Sequence, residues 1–182
     1  MSTALPVGAA APNLAGQPVF GLPFDLSRAR LRGAVLVSFW APLSAKGTLA
    51  SLAALTEVWP RVDAEAGGMV AVTRSPLETA RDFVPRHHVL FPVLVDETGT
   101  DFSRWGIGSA RGVAAKLRTA RPAFVKRALS VMRNGQPLPE AHEDQLPAAF
   151  VVDAEGGVRH VWYGKAVDDV VDAEGMWAAA QA

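Results

Sequence analysis

The stretch Ala34–Trp40 (AVLVSFW) is apolar at nearly every position, which predicts a central strand covered on both faces rather than one with a wet side. Within Ser44–Ala64, the residues Leu49, Leu52, Ala53, Leu55 and Val58 or Trp59 recur at helical spacing, and Gly67-Gly68 marks the end of that helix. Met69–Thr73 (MVAVT) predicts a second buried strand. Ser75-Pro76-Leu77-Glu78 follows with the spacing of a capping box and a proline at the first helical position, predicting a helix that ends near Pro85. Phe91–Val95 (FPVLV) predicts a third strand, Asp96-Glu97-Thr98-Gly99 a turn, and Phe102 with Trp105 a short helix.

The pattern changes between about residues 106 and 145. Val113, Leu117, Ala120, Phe124, Ala128 and Val131 lie three or four apart, so a helical insertion is expected, with Pro122 dividing or kinking it. Asn134–Pro139 (NGQPLP) reads as loop. Ala148–Val152 and Val158–Tyr163 are strand candidates joined by Asp153-Ala154-Glu155-Gly156-Gly157, a good hairpin turn. A last helix is expected from about Asp168 to Ala180. Strand, helix, strand, helix, strand, hairpin and helix together predict an α/β sandwich with a mixed sheet. At 182 residues the chain suits a single domain, residues 1–182, carrying the insertion at about 106–145.

Composition narrows the chemistry more than the architecture. The chain has no cysteine, which excludes disulfides, thiolate nucleophiles, iron–sulfur clusters and any zinc site that needs sulfur. Its 18 basic and 18 acidic residues cancel, so no global field draws nucleic acid or an acidic membrane. The charge is nonetheless segregated. Residues 102–139 hold Arg104, Arg111, Lys116, Arg118, Arg121, Lys126, Arg127 and Arg133 and no acid, while acids dominate from Glu140 onward. The ordinary explanation is a solvated helical face answered by the acidic end; the sharper one is a partner-docking surface over residues 104–133. Aromatic residues there are few, which argues against nucleic-acid binding. The N-terminal region lacks the charged and apolar segments of a signal peptide, and no apolar run approaches the roughly 20 residues of a membrane span, so a cytoplasmic protein without a membrane partner is expected.

Several segments in order carry a family resemblance: VGAAAPNL at the start, LRGAVLVSFWAP, FPVLVDETG, and LPAAFVVDAEGGVRHVWYG. Over about residues 7–180 the chain resembles the thioredoxin-like fold, in its peroxiredoxin or alkyl hydroperoxide reductase (AhpC/TSA) branch. The resemblance implies a three-layer α/β sandwich and antioxidant or disulfide oxidoreductase activity. It also implies homodimerisation as an expectation.

In that family the strand ending at Trp40 runs into a helix N-terminus that carries a cysteine, often as Cys-x-x-Cys, because backbone donors and the helix dipole stabilise a thiolate there. Here the loop reads Pro42-Leu43-Ser44-Ala45-Lys46-Gly47, which puts Ser44 at the first cysteine position and Gly47 at the second. The threonine that peroxiredoxins keep three residues before the cysteine is replaced by Ala41. A serine forms no sulfenic acid and no accessible oxyanion at neutral pH, so the family's thiol chemistry is expected to be lost. Leu146-Pro147 matches the place where thioredoxin-like folds keep a cis-proline opposite the cysteine loop. Either it is a fold-stabilising turn, or a groove for a peptide or small molecule is lined by Trp40, Pro42, Ser44 and Pro147. No cofactor is expected. The expected role is non-catalytic binding or regulation; the alternative is an oxidoreductase using an external thiol or a thiol-free mechanism.

Other constellations are weaker. Ser44 lacks a Gly-x-Ser-x-Gly elbow and nothing places His87, His88, His142 or His160 beside it, so it reads as a helix N-cap rather than a hydrolase nucleophile. His87-His88 in an extended segment would face opposite ways and would not share a metal. Lys46 reads as a solvated charge, Gly106-Ile107-Gly108 lacks the rest of a phosphate-loop fingerprint, and Asp168-Asp169 and Asp96-Glu97 read as capping acids. Trp162 and Trp177 read as core.

Overall fold

The computed structural model describes residues 4–110 and 142–181. A short antiparallel pair, β1 (Ala15–Gly16) and β2 (Phe24–Asp25), leads through α1 (Leu26–Ala29) to β3 (Val35–Phe39). Then follow α2 (Lys46–Ala64), β4 (Gly68–Thr73), α3 (Leu77–Arg86), β5 (Val93–Val95), α4 (Thr100–Arg104), β6 (Ala148–Val152), β7 (Val158–Tyr163) and α5 (Ala173–Ala180). The five-stranded sheet runs β5-β4-β3-β6-β7. Its first three strands are parallel, and β6 and β7 are antiparallel to their neighbours. The structure is therefore the α/β, thioredoxin-like three-layer sandwich with a mixed central sheet that the sequence predicts.

All five residues of β3 are buried, as expected for the middle strand. Alternation sends Leu36 to one face with Met69, Ala71, Ala149 and Val151, against α2, α3 and α5. It sends Val35, Val37 and Phe39 to the other with Val72 and Phe150, against α1, α4 and the N-terminal segment. Phe39 packs edge-on against Phe102 and Phe150, with centroids 5.0 and 5.9 Å away.

The helices depart from the expected pattern in informative ways. In α2, Leu49 is 43% exposed and Ala53 also faces solvent, while the buried stripe is Thr48, Ser51, Leu52, Leu55, Val58 and Val62. Two polar residues take the inward positions because their hydroxyls find partners. Gly67 is needed for close approach rather than for its backbone freedom: a Cβ there would lie 2.3 Å from the Trp177 ring. The left-handed residue that ends α2 is instead Ala66, at φ 57°. The Ser75–Glu78 capping box does not form. Ser75 Oγ faces inward, and the Leu77 amide donates to a Glu97 carboxylate oxygen at 3.0 Å. The last helix begins at Ala173, capped by Asp172, so Asp168 and Asp169 lie in the preceding loop rather than at its start. Asp96 behaves as expected, accepting from the amides of Thr100, Asp101 and Phe102 at 3.0, 2.8 and 3.2 Å.

The expected helical insertion at about 106–145, and with it most of the basic run 104–133, lies outside the described residues over 111–141. Its two flanks meet: Ser109 bridges Gln145, and Gln145 Nε2 donates to the Gly108 carbonyl at 2.9 Å. Arg74 steadies this junction through Gln145 Oε1 at 3.0 Å and His142 Nε2 at 3.2 Å.

Candidate functional site at the start of helix α2

The loop between β3 and α2 is built from backbone bonds and two hydroxyls. The Trp40 amide donates to the Val72 carbonyl at 2.8 Å, which carries the ladder one residue past β3. Ala41, Pro42 and Leu43 are then buried, and the Leu43 amide donates to Ser75 Oγ at 3.1 Å. Ser75 thus supports this loop, while the N-cap position of α3 falls on Pro76. Thr48 Oγ1 donates back to the Pro42 carbonyl at 2.9 Å, with the Ala41 carbonyl at 3.2 Å, so the first turn of α2 holds the loop that precedes it.

Ser44 does not cap this helix. The N-cap is Ala45, with no side-chain hydrogen bond, and Ser44 is exposed on the outer side of the turn beside exposed Lys46. Gly47 is buried. Its amide points at Asp168 Oδ1, 3.4 Å away, which places a carboxylate at the positive end of the helix dipole. A Cβ on Gly47 would come within 2.5 Å of the Asp168 carbonyl carbon, so the backbone at Asp168 occupies the space of a side chain at this position.

Trp40, Gly47 and Pro147 come together around one recess with Thr48, Ser51 and Val171, and that recess has no room for a water molecule. Pro42 is buried beside it and Ser44 stays outside. The Leu146–Pro147 peptide bond is trans, as is every peptide bond among the described residues. Gly164 packs on Pro147: its amide donates to the Pro147 carbonyl at 2.9 Å, and a Cβ at 164 would meet the Pro147 ring at 2.7 Å. Trp40 fits edge-to-face between Phe83 and Phe91, each 6.1 Å away, and its indole N–H is buried without a partner.

The histidines lie elsewhere. His87 stacks on Phe83 at 4.4 Å, His88 is exposed at φ 50°, His142 lies against Arg74, and His160 sits within β7. No three metal-ligating side chains gather among the described residues. Trp177 is buried and donates to Glu65 at 2.8 Å, while Trp162 is half-buried at the recess. Sequence reasoning missed Asp168 as part of this region and Ser75 as a support of its loop. The glycine at 47 was the available signal, since a buried glycine early in a helix needs a reason such as close backbone approach.

A β-strand running into a long helix, with the first turn of that helix facing the end of an antiparallel hairpin, is a thioredoxin-like arrangement. Residues 7–161 match the sequence model of the AhpC/TSA family, and the chain belongs to that family. Among solved structures it is similar to the peroxidoxin BcpB of Mycobacterium tuberculosis, at 16% identity, 96% coverage of both chains and a TM-score of 0.68. It is also similar to peroxiredoxin Q of Xanthomonas campestris, at 17% identity, 100% and 98% coverage and a TM-score of 0.65. A thioredoxin family thiol:disulfide interchange protein of Chlorobium tepidum gives 16% identity, 98% and 97% coverage and a TM-score of 0.58. No match was found among curated protein sequences. No helix among the described residues is long and apolar enough to cross a membrane.

Proposed function

We propose that this chain is a single thioredoxin-like domain over residues 1–182 that has exchanged the family's thiol chemistry for non-catalytic binding or regulation. The observation that carries the reading is chemical: the sequence holds no cysteine anywhere, and the family resemblance puts Ser44 and Gly47 at the two thiol positions. Without a thiol that can form a sulfenic acid or a mixed disulfide, the chain's own residues cannot run the family's thiol-based peroxide reduction. The exposed turn at Ser44 and Lys46, with Pro147 behind it, is the proposed contact for a protein or peptide partner, and the basic segment 104–133 is the second. Trp40 and Pro42 support that turn from within. A cytoplasmic location, expected from the sequence, fits the same reading, and a homodimer is what the family resemblance implies.

The test is peroxide and disulfide reduction by the wild type beside Ser44→Cys, each with an external thiol reductant and a no-protein control. The expected outcome is a wild type indistinguishable from the control. Turnover by the wild type with an external thiol would overturn the reading in favour of an oxidoreductase that borrows its sulfur. Turnover by Ser44→Cys alone would support it, by showing that only the nucleophile is missing.

A further inference from the structure

We propose that residues 164–172 form a displaceable strap that closes the recess beside the α2 N-terminus, and that Gly47 is the residue that lets it seat. The proposal rests on the reading above, since it names how the same region is kept shut.

The strap enters at Gly164, pressed on Pro147, and leaves at Val171, whose buried amide donates to Ser51 Oγ at 3.2 Å. Between these anchors the Asp168 backbone lies on Gly47, at a distance that excludes even a methyl group. The strap's turn is organised by its own side chain: Asp169 Oδ2 accepts from the amides of Lys165 and Ala166 at 2.6 and 3.0 Å. It therefore keeps a shape of its own. Its grip on the rest of the molecule is light. Among the described residues the hydrogen bonds from 164–171 to the rest of the chain are Gly164 to Pro147, Gly47 to Asp168 and Val171 to Ser51. Lys165, Ala166, Asp168 and Val170 are exposed. A segment with its own turn, few outside bonds and little buried apolar surface opens at a lower free energy than the sheet beneath it. The polar pair facing it from α2, Thr48 and Ser51, also differs in kind. Thr48 is committed to the loop carbonyls, whereas Ser51 serves the strap. Lifting the strap would uncover Ser51, the Gly47 amide and the Pro147 ring together.

The experiment is hydrogen exchange read by mass spectrometry, with limited trypsin cleavage at Lys165, on the full chain and two variants. Gly47→Ala inserts a methyl group where Asp168 lies, and Ser51→Ala removes the acceptor of the Val171 amide without a clash. Both are expected to speed exchange in 164–172 and cleavage after Lys165 by about tenfold or more, with β3, β4 and β6 unchanged. Should Gly47→Ala not fold, Ser51→Ala carries the test. Unchanged exchange in the strap, or an equal rise across the central strands, would overturn the proposal. These readouts do not depend on redox activity, so the peroxide assay and the strap stand or fall separately.

Discussion

Replacing Thr48 by valine keeps the shape of the side chain and removes one hydroxyl, which isolates what holds the loop between β3 and α2 together. Thr48 is 2% exposed, and its hydroxyl donates to the Pro42 carbonyl at 2.9 Å. A buried hydrogen bond contributes about 1 kcal/mol net, and an acceptor left dry costs about 1–3 kcal/mol. The Pro42 carbonyl retains a second donor, the Ala45 amide at 2.9 Å, so the lower part of that range applies. Thr48→Val is therefore expected to cost about 1–1.5 kcal/mol, which for a chain of this length is a fall in Tm of about 2–6 °C. The urea midpoint should fall with the slope unchanged. Ser44→Ala is the matched control. As a helix cap Ser44 would be worth about 1 kcal/mol, but the N-cap is Ala45 and Ser44 is exposed, so its loss should shift stability by less than about 0.5 kcal/mol. The reasoning is refuted if Ser44→Ala costs as much as Thr48→Val.

Two further outcomes follow from single residues. Ala66→Gly is expected to stabilise the protein, because Ala66 holds φ 57° at the end of α2, where an L side chain is strained by about 1 kcal/mol and glycine is not; a lower urea midpoint in the variant would contradict this. The Asp101 carboxyl is pushed above its ordinary value by burial and by the neighbouring Asp96 charge, against the opposing pull of Arg104. The native state then binds its proton more tightly than the unfolded chain, so this group's stability contribution is present in acid and is lost as pH rises through its native pKa. Asp101→Asn should accordingly melt higher than the wild type at pH 7, with the gap closing towards pH 3. A gap that widens in acid would reverse the assignment.

The elements that short-range pattern decides are the ones legible in the chain itself. The run at Ala34–Trp40, apolar but for Ser38, is a central strand because both of its faces are buried. The hairpin at Asp153–Gly157 follows from turn chemistry, with the Gly157 amide donating to Asp153 at 2.7 Å. The missing thiol is likewise a property of the sequence alone, and it excludes thiol chemistry by the chain's own residues. Tertiary structure decided everything that depends on partners distant in sequence. Thr48 and Ser51 point inward and Leu49 outward because Pro42 and Val171 supply acceptor and donor, a pairing that no periodicity encodes. Ser75 left its capping position for the Leu43 amide, 32 residues away, and Asp168 reached Gly47 across 121 residues. A hydroxyl or a glycine has several local uses of nearly equal free energy, about 1 kcal/mol apart, so the fold chooses among them by what it brings within 3 Å.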